Sequence, residues 1–229
     1  MKIFKYLAEI FFPSTCIACG ATVQDEHIFC ADCLLQTVFT QFPNAYQNEM
    51  TDRLISIKNL QNAYAPLFFK KNAPIADLFY KIKYGNRPDL AEKIAGFLAS
   101  SFNETLKQGP DIDGICFVPI HEIKLSKRGY NQSQILARII GEVLNIPVIT
   151  ALKRISNIDT QTHFGRIDRL KNQEGTIECI SDIKKFNHLL IVDDILTTGA
   201  TIETCCDAIS KVSPATAVSI VTLALTDNW

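Results

Sequence analysis

The stretch "LLIVDDILTTGAT", residues 189–201, decides the fold. Leu189 to Val192 form a continuous apolar run, as expected of a strand covered on both faces. The run leads straight into Asp193 and Asp194. Adjacent carboxylates repel, and each is costly to bury, so this strand end must meet water or a ligand. Thr197, Thr198 and Gly199 follow, all small, before a helical pattern begins near Thr201. The spacing predicts a loop over residues 195–200 whose amides converge at a helix N-terminus, an arrangement suited to an anion. It is not a Walker loop, since it has no Gly-Lys-Thr. The two acids add acceptors for sugar hydroxyls. Strand, acids and phosphate nest together predict a ribose 5-phosphate pocket. The bland alternative is a loop with chance acids and an N-cap threonine.

Elsewhere apolar runs alternate with helical periodicity. "AYAPLFFK" (63–70), "GICFVPI" (114–120), "IPVITALKRI" (146–155) and "TAVSIVTLALT" (216–226) read as further strands. "PIADLFYKIKYG" (74–85) carries a helix-favouring Pro74 in its first turn and closes at Gly85. A second helix starts at Pro88 and places Leu90, Ile94, Phe97, Leu98 and Phe102 on one face. A third, "NQSQILARIIGEVL", opens on Asn131 as N-cap, and "ATIETCCDAISKV" is a fourth. Residues 39–61 read as a polar linker, and residues 156–175 show no strong periodicity. Such alternation predicts an α/β fold, a mostly parallel sheet with helices on both faces, whose ligands bind at the carboxyl ends of the strands.

The chain has 229 residues, 47% hydrophobic and 21% charged, which excludes disorder. Net charge is -1, unevenly spread. Residues 120–171 hold nine Lys or Arg against four acids, which suits either phosphates or a solvated basic face. The start, "MKIFKYLAEIFFPSTC", lacks the apolar core and cleavage site of a signal peptide. Its Ile3, Leu7, Ile10 and Phe11 suit a short amphipathic helix packed on the protein. No run of about 18 apolar residues predicts a membrane span, and the expected location is cytoplasmic.

In that compartment eight cysteines are thiols or metal ligands. Two residues separate Cys16 from Cys19, ten intervene, and two again separate Cys30 from Cys33. Each pair can aim two thiolates at one ion, and two pairs predict a closed tetrahedral Zn²⁺ site in a module spanning residues 1–45. Four ligands leave no open position, so the ion is structural. Local disulfides or a redox pair are the alternative, disfavoured by the doubled spacing. The segment's acidity argues against nucleic-acid binding there. Cys116, Cys179, Cys205 and Cys206 show no pairing pattern and read as buried small residues.

Residues 189–201 resemble the phosphoribosyl pyrophosphate (PRPP) signature of type I phosphoribosyltransferases. That resemblance implies that Asp193 and Asp194 meet the ribose 2′ and 3′ hydroxyls and stabilise charge at the reacting carbon. It implies that Ile195, Leu196, Thr197, Thr198, Gly199, Ala200 and Thr201 complete the PRPP site with Mg²⁺. Further stretches narrow the likeness. "VPIHEIKLSKRGYNQSQILA" (118–137), "KIKYGNRPDLA" (81–91) and "TQTHFGRIDRLKN" (160–172), with the four-cysteine ribbon, resemble the ComF family of competence-associated proteins. By that resemblance Lys83, Pro119, Arg128 and Gly129 serve the pyrophosphate, while Arg154, Gln161 and Arg166 belong to a mobile catalytic loop. His121 departs from the family pattern, which has a proline there. The implied domain spans residues 46–229. The implied role is in DNA uptake during natural transformation, with other uptake proteins or single-stranded DNA as partners. The acceptor of any transfer and the oligomeric state are not legible.

Overall fold

The strand that carries the two acids lies inside the main sheet, with a parallel neighbour on each side. The computed structural model describes residues 13–24, 27–106, 109, 111–155 and 176–227. In chain order the elements are α1 (Ala31–Gln36), β1 (Val38–Phe39), α2 (Glu49–Arg53), β2 (Leu60–Tyr64), β3 (Leu67–Phe69), α3 (Pro74–Tyr84) and α4 (Pro88–Leu106). There follow β4 (Gly114–Phe117), α5 (Glu122–Arg128), α6 (Gln132–Leu144), β5 (Leu152–Arg154), β6 (Ile177–Cys179), β7 (His188–Leu196), α7 (Ala200–Val212) and β8 (Ala217–Thr226). Among the described residues the main sheet runs β1-β3-β8-β7-β4, with β2 also on β8. All its pairings are parallel except β1 with β3.

Burial on both faces follows from the apolar run. Leu190 and Val192 enter a core with α3, α4 and α6, whereas Leu189 and Ile191 enter another with α2 and α7. This is the alternation of a pleated strand with helices above and below it.

Several expectations are corrected. The strand expected over 63–70 is two strands, because Pro66 has no N–H to give the ladder. Both lie along β8, at Val218–Val221 and then Ala224–Thr226. β7 extends through Ile195 and Leu196, which pair with Ala224 and Leu225, so the loop shrinks to residues 197–199. Of 146–155 only Leu152–Arg154 is a strand, paired antiparallel with β6, and Val148 makes a single bridge to Ile115. The linker over 39–61 contains α2, held by a capping box between Asn48 and Thr51. Five residues give too little periodicity to announce a helix. The seven-residue α5 was missed for the same reason.

The expected boundary at residue 45 does not divide two cores. β1 pairs into the main sheet, and Cys16, Ile17, Phe29 and Cys33 share one cluster with α3 and α4. The helix suggested near the N-terminus and the stretch 156–175, with Gln161 and Arg166, lie outside the described residues. Among the described residues no helix is long and apolar enough to cross a membrane.

Candidate functional site

Asp193 and Asp194 lie near the carboxyl end of β7, facing the first turn of α6. Asn131 places that turn: its side chain accepts from the N–H of Ser133 and donates to the carbonyl of Val118 at 2.9 Å, just past β4. Ser133 then donates through Oγ to Asp193 Oδ1 at 2.8 Å, and Gln132 Nε2 lies 3.5 Å from Asp194 Oδ2. The N-terminal end of α6 thus supports both charges. Asp194 is skipped in the β7–β8 register, and its Oδ1 accepts the N–H of Ile195 at 2.8 Å. Its Oδ2 pairs with Lys83 Nζ at 2.9 Å, from the last turn of α3. Burial disfavours the Lys83 ammonium, but Asp194 and then Asp193 outweigh it and raise its pKa.

Asp193 titrates far from an ordinary carboxyl. Burial first, then the Asp194 charge, push it up to about 7, against the Ser133 hydrogen bond and Lys83. The folded protein therefore keeps a proton that the unfolded chain, with a carboxyl near 3.8, releases earlier. The contribution to stability is complete below pH 3.8, declines as pH rises towards about 7, and is absent above it. Urea melts between pH 5 and 8 are expected to show this decline, and Asp193→Asn to flatten it. An equally steep slope in the variant would assign the proton elsewhere.

Beyond β7 the chain turns at residues 197–199 into α7, with Gly199 at the N-cap. Gly199 has φ +87°, and a Cβ there would lie 2.9 Å from Leu54 Cδ2. Gly199→Ala is expected to cost about 1–2 kcal/mol from the left-handed backbone alone, read by chemical denaturation. α2 buttresses the loop from behind. Arg53, 2% exposed, donates to Thr226 Oγ1 at 3.0 Å, reaches the Thr197 carbonyl at 3.4 Å and pairs with Glu49. Sequence reasoning missed Arg53, since nothing local marks an arginine as buried.

The other expected residues divide. Arg128 hydrogen-bonds Gln132 Oε1 and lies 5.7 Å over the Tyr84 ring, one step from the carboxylates. Gly129 is the left-handed C-cap of α5, φ +79°. Tyr130 donates to the Ile82 carbonyl, tying that turn to α3. His121 caps α5 by accepting from the N–H of Ile123 at 3.2 Å, the role its proline-replacing position left open. Pro119 and Arg154 line a separate cavity of about 250 Å³ beside α5. Arg154 Nε is buried there without a hydrogen-bond partner among the described residues. Gln132 and Ser133 were read only as helix start; the "NQS" after Arg128-Gly129 was the available signal. The basic stretch is partly neutralised: Arg138 pairs with Glu92 and Glu142, and Lys153 with Glu122.

The four cysteines do converge. The Sγ atoms of Cys16, Cys19, Cys30 and Cys33 all lie within 4.8 Å of one another, with Cys19 and Cys30 3.7 Å apart. Zn–S bonds of about 2.3 Å in a tetrahedron require S–S edges of about 3.8 Å, so the set fits a metal ion. Gly20, φ +83°, closes the first knuckle by donating to the Cys16 carbonyl at 2.9 Å. Burial opposes the Cys16 thiolate, but the N–H groups of Cys19, Cys30 and Ala18 outweigh it and lower its pKa to about 6. Cys116, Cys205 and Cys206 are buried and Cys179 is half-buried. Burial raises the pKa of the first three, as inert core thiols require.

A parallel sheet with paired acids at a strand end, followed by a short loop into a helix, defines the class. The chain belongs to the phosphoribosyl transferase domain family, whose profile matches residues 89–228. Its relatives are more particular. It is 26% identical over 192 residues to DNA utilization protein YhgH of Escherichia coli K12, covering 82% of this chain and 74% of that one. It is 25% identical over 134 residues to competence protein F of Haemophilus influenzae, covering 56% and 58%. Competence protein ComFC of Bacillus subtilis matches at 22% over 213 residues, 91% of this chain and 76% of that protein. A purine phosphoribosyltransferase from Pyrococcus horikoshii aligns with TM-score 0.33 and 22% identity over 60% of this chain and 76% of that one, a likeness too loose to carry weight. The family implies PRPP as ligand, and the four-cysteine cluster is a possible metal site.

Proposed function

We propose that this protein binds PRPP with Mg²⁺ at the end of β7 and acts in DNA uptake. The observation that carries the reading is the junction of two carboxylates with a loop turning into α7 and two cations, Lys83 and Arg128, beside them. Asp193 and Asp194 accept the ribose 2′ and 3′ hydroxyls. The amides of residues 197–201 and the α7 N-terminus hold the 5′-phosphate. Arg128 and Gly129, at the end of the α5 segment that follows Pro119, face the pyrophosphate together with Lys83 of α3. Asp193 and Asp194 would help hold Mg²⁺, which when bound would supply positive charge where the leaving group becomes more negative. The same carboxylates favour positive charge at the ribose C1. The four cysteines hold a structural Zn²⁺.

The role in DNA uptake rests on the names of the competence relatives. Transfer to an acceptor and PRPP-gated binding share the pocket. Calorimetric titration of PRPP with and without Mg²⁺ tests the reading, and no Mg²⁺-dependent heat would overturn it. Pyrophosphate release across a panel of bases then separates transferase from sensor. A second reading, single-stranded DNA on the basic stretch, is supported by the charge count over residues 120–171. It is weakened by the acids that engage Arg138 and Lys153. A steep fall in DNA affinity with salt would favour it.

A further inference from the structure

We infer that Lys83 sets which ribose ligand the site accepts, by holding Asp194 until a pyrophosphate draws it away. The inference rests on the PRPP reading and adds a selectivity device to it. Each oxygen of Asp194 accepts from a close donor. Oδ1 takes the N–H of Ile195 at 2.8 Å, and Oδ2 takes Lys83 Nζ at 2.9 Å, with Gln132 Nε2 at 3.5 Å. The ion pair is largely shielded, with side chains 27% exposed for Lys83 and 5% for Asp194. A ribose hydroxyl that takes Asp194 Oδ2 competes with Lys83 for that oxygen.

The Ile195 N–H belongs to β7 and is fixed by the sheet. Gln132 is tied to Arg128. Lys83 is the one donor on a flexible four-carbon stem. It sits at the end of α3, next to Tyr84, whose ring lies under the Arg128 guanidinium. Gln132 links the two cations, with its Oε1 on Arg128 and its Nε2 beside the Asp194 oxygen that Lys83 holds, so one pyrophosphate can serve both.

Two ligands then meet different sites. Ribose 5-phosphate has no second anion, so a hydroxyl that weakens the Lys83–Asp194 pair leaves the ammonium poorly compensated. PRPP breaks the same pair but offers Lys83 a stronger anion in exchange. Product-like sugars are held off, and the pyrophosphate end of the ligand opens the ribose subsite. A lysine that merely packed, or merely added positive charge to the site, would affect both phosphorylated ligands in one direction.

Lys83→Met separates these cases by crossed effects. Calorimetry should find PRPP with Mg²⁺ bound about 10-fold more weakly or worse, as for loss of a charge-assisted hydrogen bond. Ribose 5-phosphate should bind more tightly than to the parent, by about 3-fold or more, because no ion pair has to be broken. Lys83→Arg should keep PRPP binding closer to the parent. If Met at this position prevents folding, Lys83→Gln supplies the same comparison, with PRPP weakened and ribose 5-phosphate not weakened. Both ligands shifting in the same direction would overturn the role of Lys83 while leaving PRPP binding standing. A parent protein that binds no PRPP would overturn both.

Discussion

Replacing Asp193 and Asp194 together by Asn is expected to abolish Mg²⁺-dependent PRPP binding in a protein that still folds. Asn keeps the shape and can still accept a hydrogen bond, but it carries no charge. A charge-assisted hydrogen bond contributes about 1.5–3 kcal/mol against about 0.5–1.5 kcal/mol for a neutral one, so losing both charges weakens the ribose contacts by roughly 30-fold or more. Mg²⁺ loses its attraction to the site as well. The two single variants should differ in stability. At pH 8 Asp193→Asn relieves a buried carboxylate already pushed up to about 7, so its melting temperature should rise. Asp194→Asn removes the partner of Lys83 at 2.9 Å and should lower it. Calorimetry measures the first effect and thermal melts the second. A double variant that bound PRPP as tightly as the parent would remove the ribose role of both aspartates.

The sequence made these acids conspicuous because their position contradicts their surroundings. Four apolar residues before two carboxylates break the logic of a buried strand, and the break is visible locally. The four cysteines are legible for the same reason, since a doubled spacing is a local pattern. The supports of the site were not. Arg53 meets Thr197 and Thr226 across 144 and 173 residues, and no local pattern records such a contact. Gln132 and Ser133 look like an ordinary helix start until the fold aims that turn at β7. Lys83 reads equally as a solvated helix end, and only the packing of α3 beside β7 makes it the counter-ion of Asp194. Periodicity fails below about two turns, which is why α2 and α5 went unread. Pro66 was visible, but its effect was not, because the two halves stay in line along β8.

If the four cysteines hold zinc as proposed, removing it is expected to destabilise the whole chain, not the cysteine segment alone. Elemental analysis of protein purified without added metal should find one zinc per chain. Cys30→Ser tests the coupling well because Cys30 is only half-buried, whereas Cys33 is 3% exposed and would add a packing defect. Reading the segment as a separate module predicts that it unravels while the sheet persists. The packing predicts otherwise. Cys16, Ile17, Ala18, Phe29 and Cys33 belong to the same core as α3 and α4. Lys81 of α3 donates to the Ala18 carbonyl at 2.7 Å, and Phe29 meets Phe97 of α4 edge-on, ring centroids 5.6 Å apart. Without the proposed zinc the knuckles would lose a binding free energy of about 10–16 kcal/mol, the range for structural zinc sites, and this face of α3 and α4 would be exposed. Lys83, the counter-ion of Asp194, sits at the end of that same α3, so the loss should reach PRPP binding too. Calorimetric melting of Cys30→Ser should show one transition at a lower temperature, with weaker PRPP binding below it. Two separate transitions, the upper one at the parent's temperature, would show that the metal holds only its own segment.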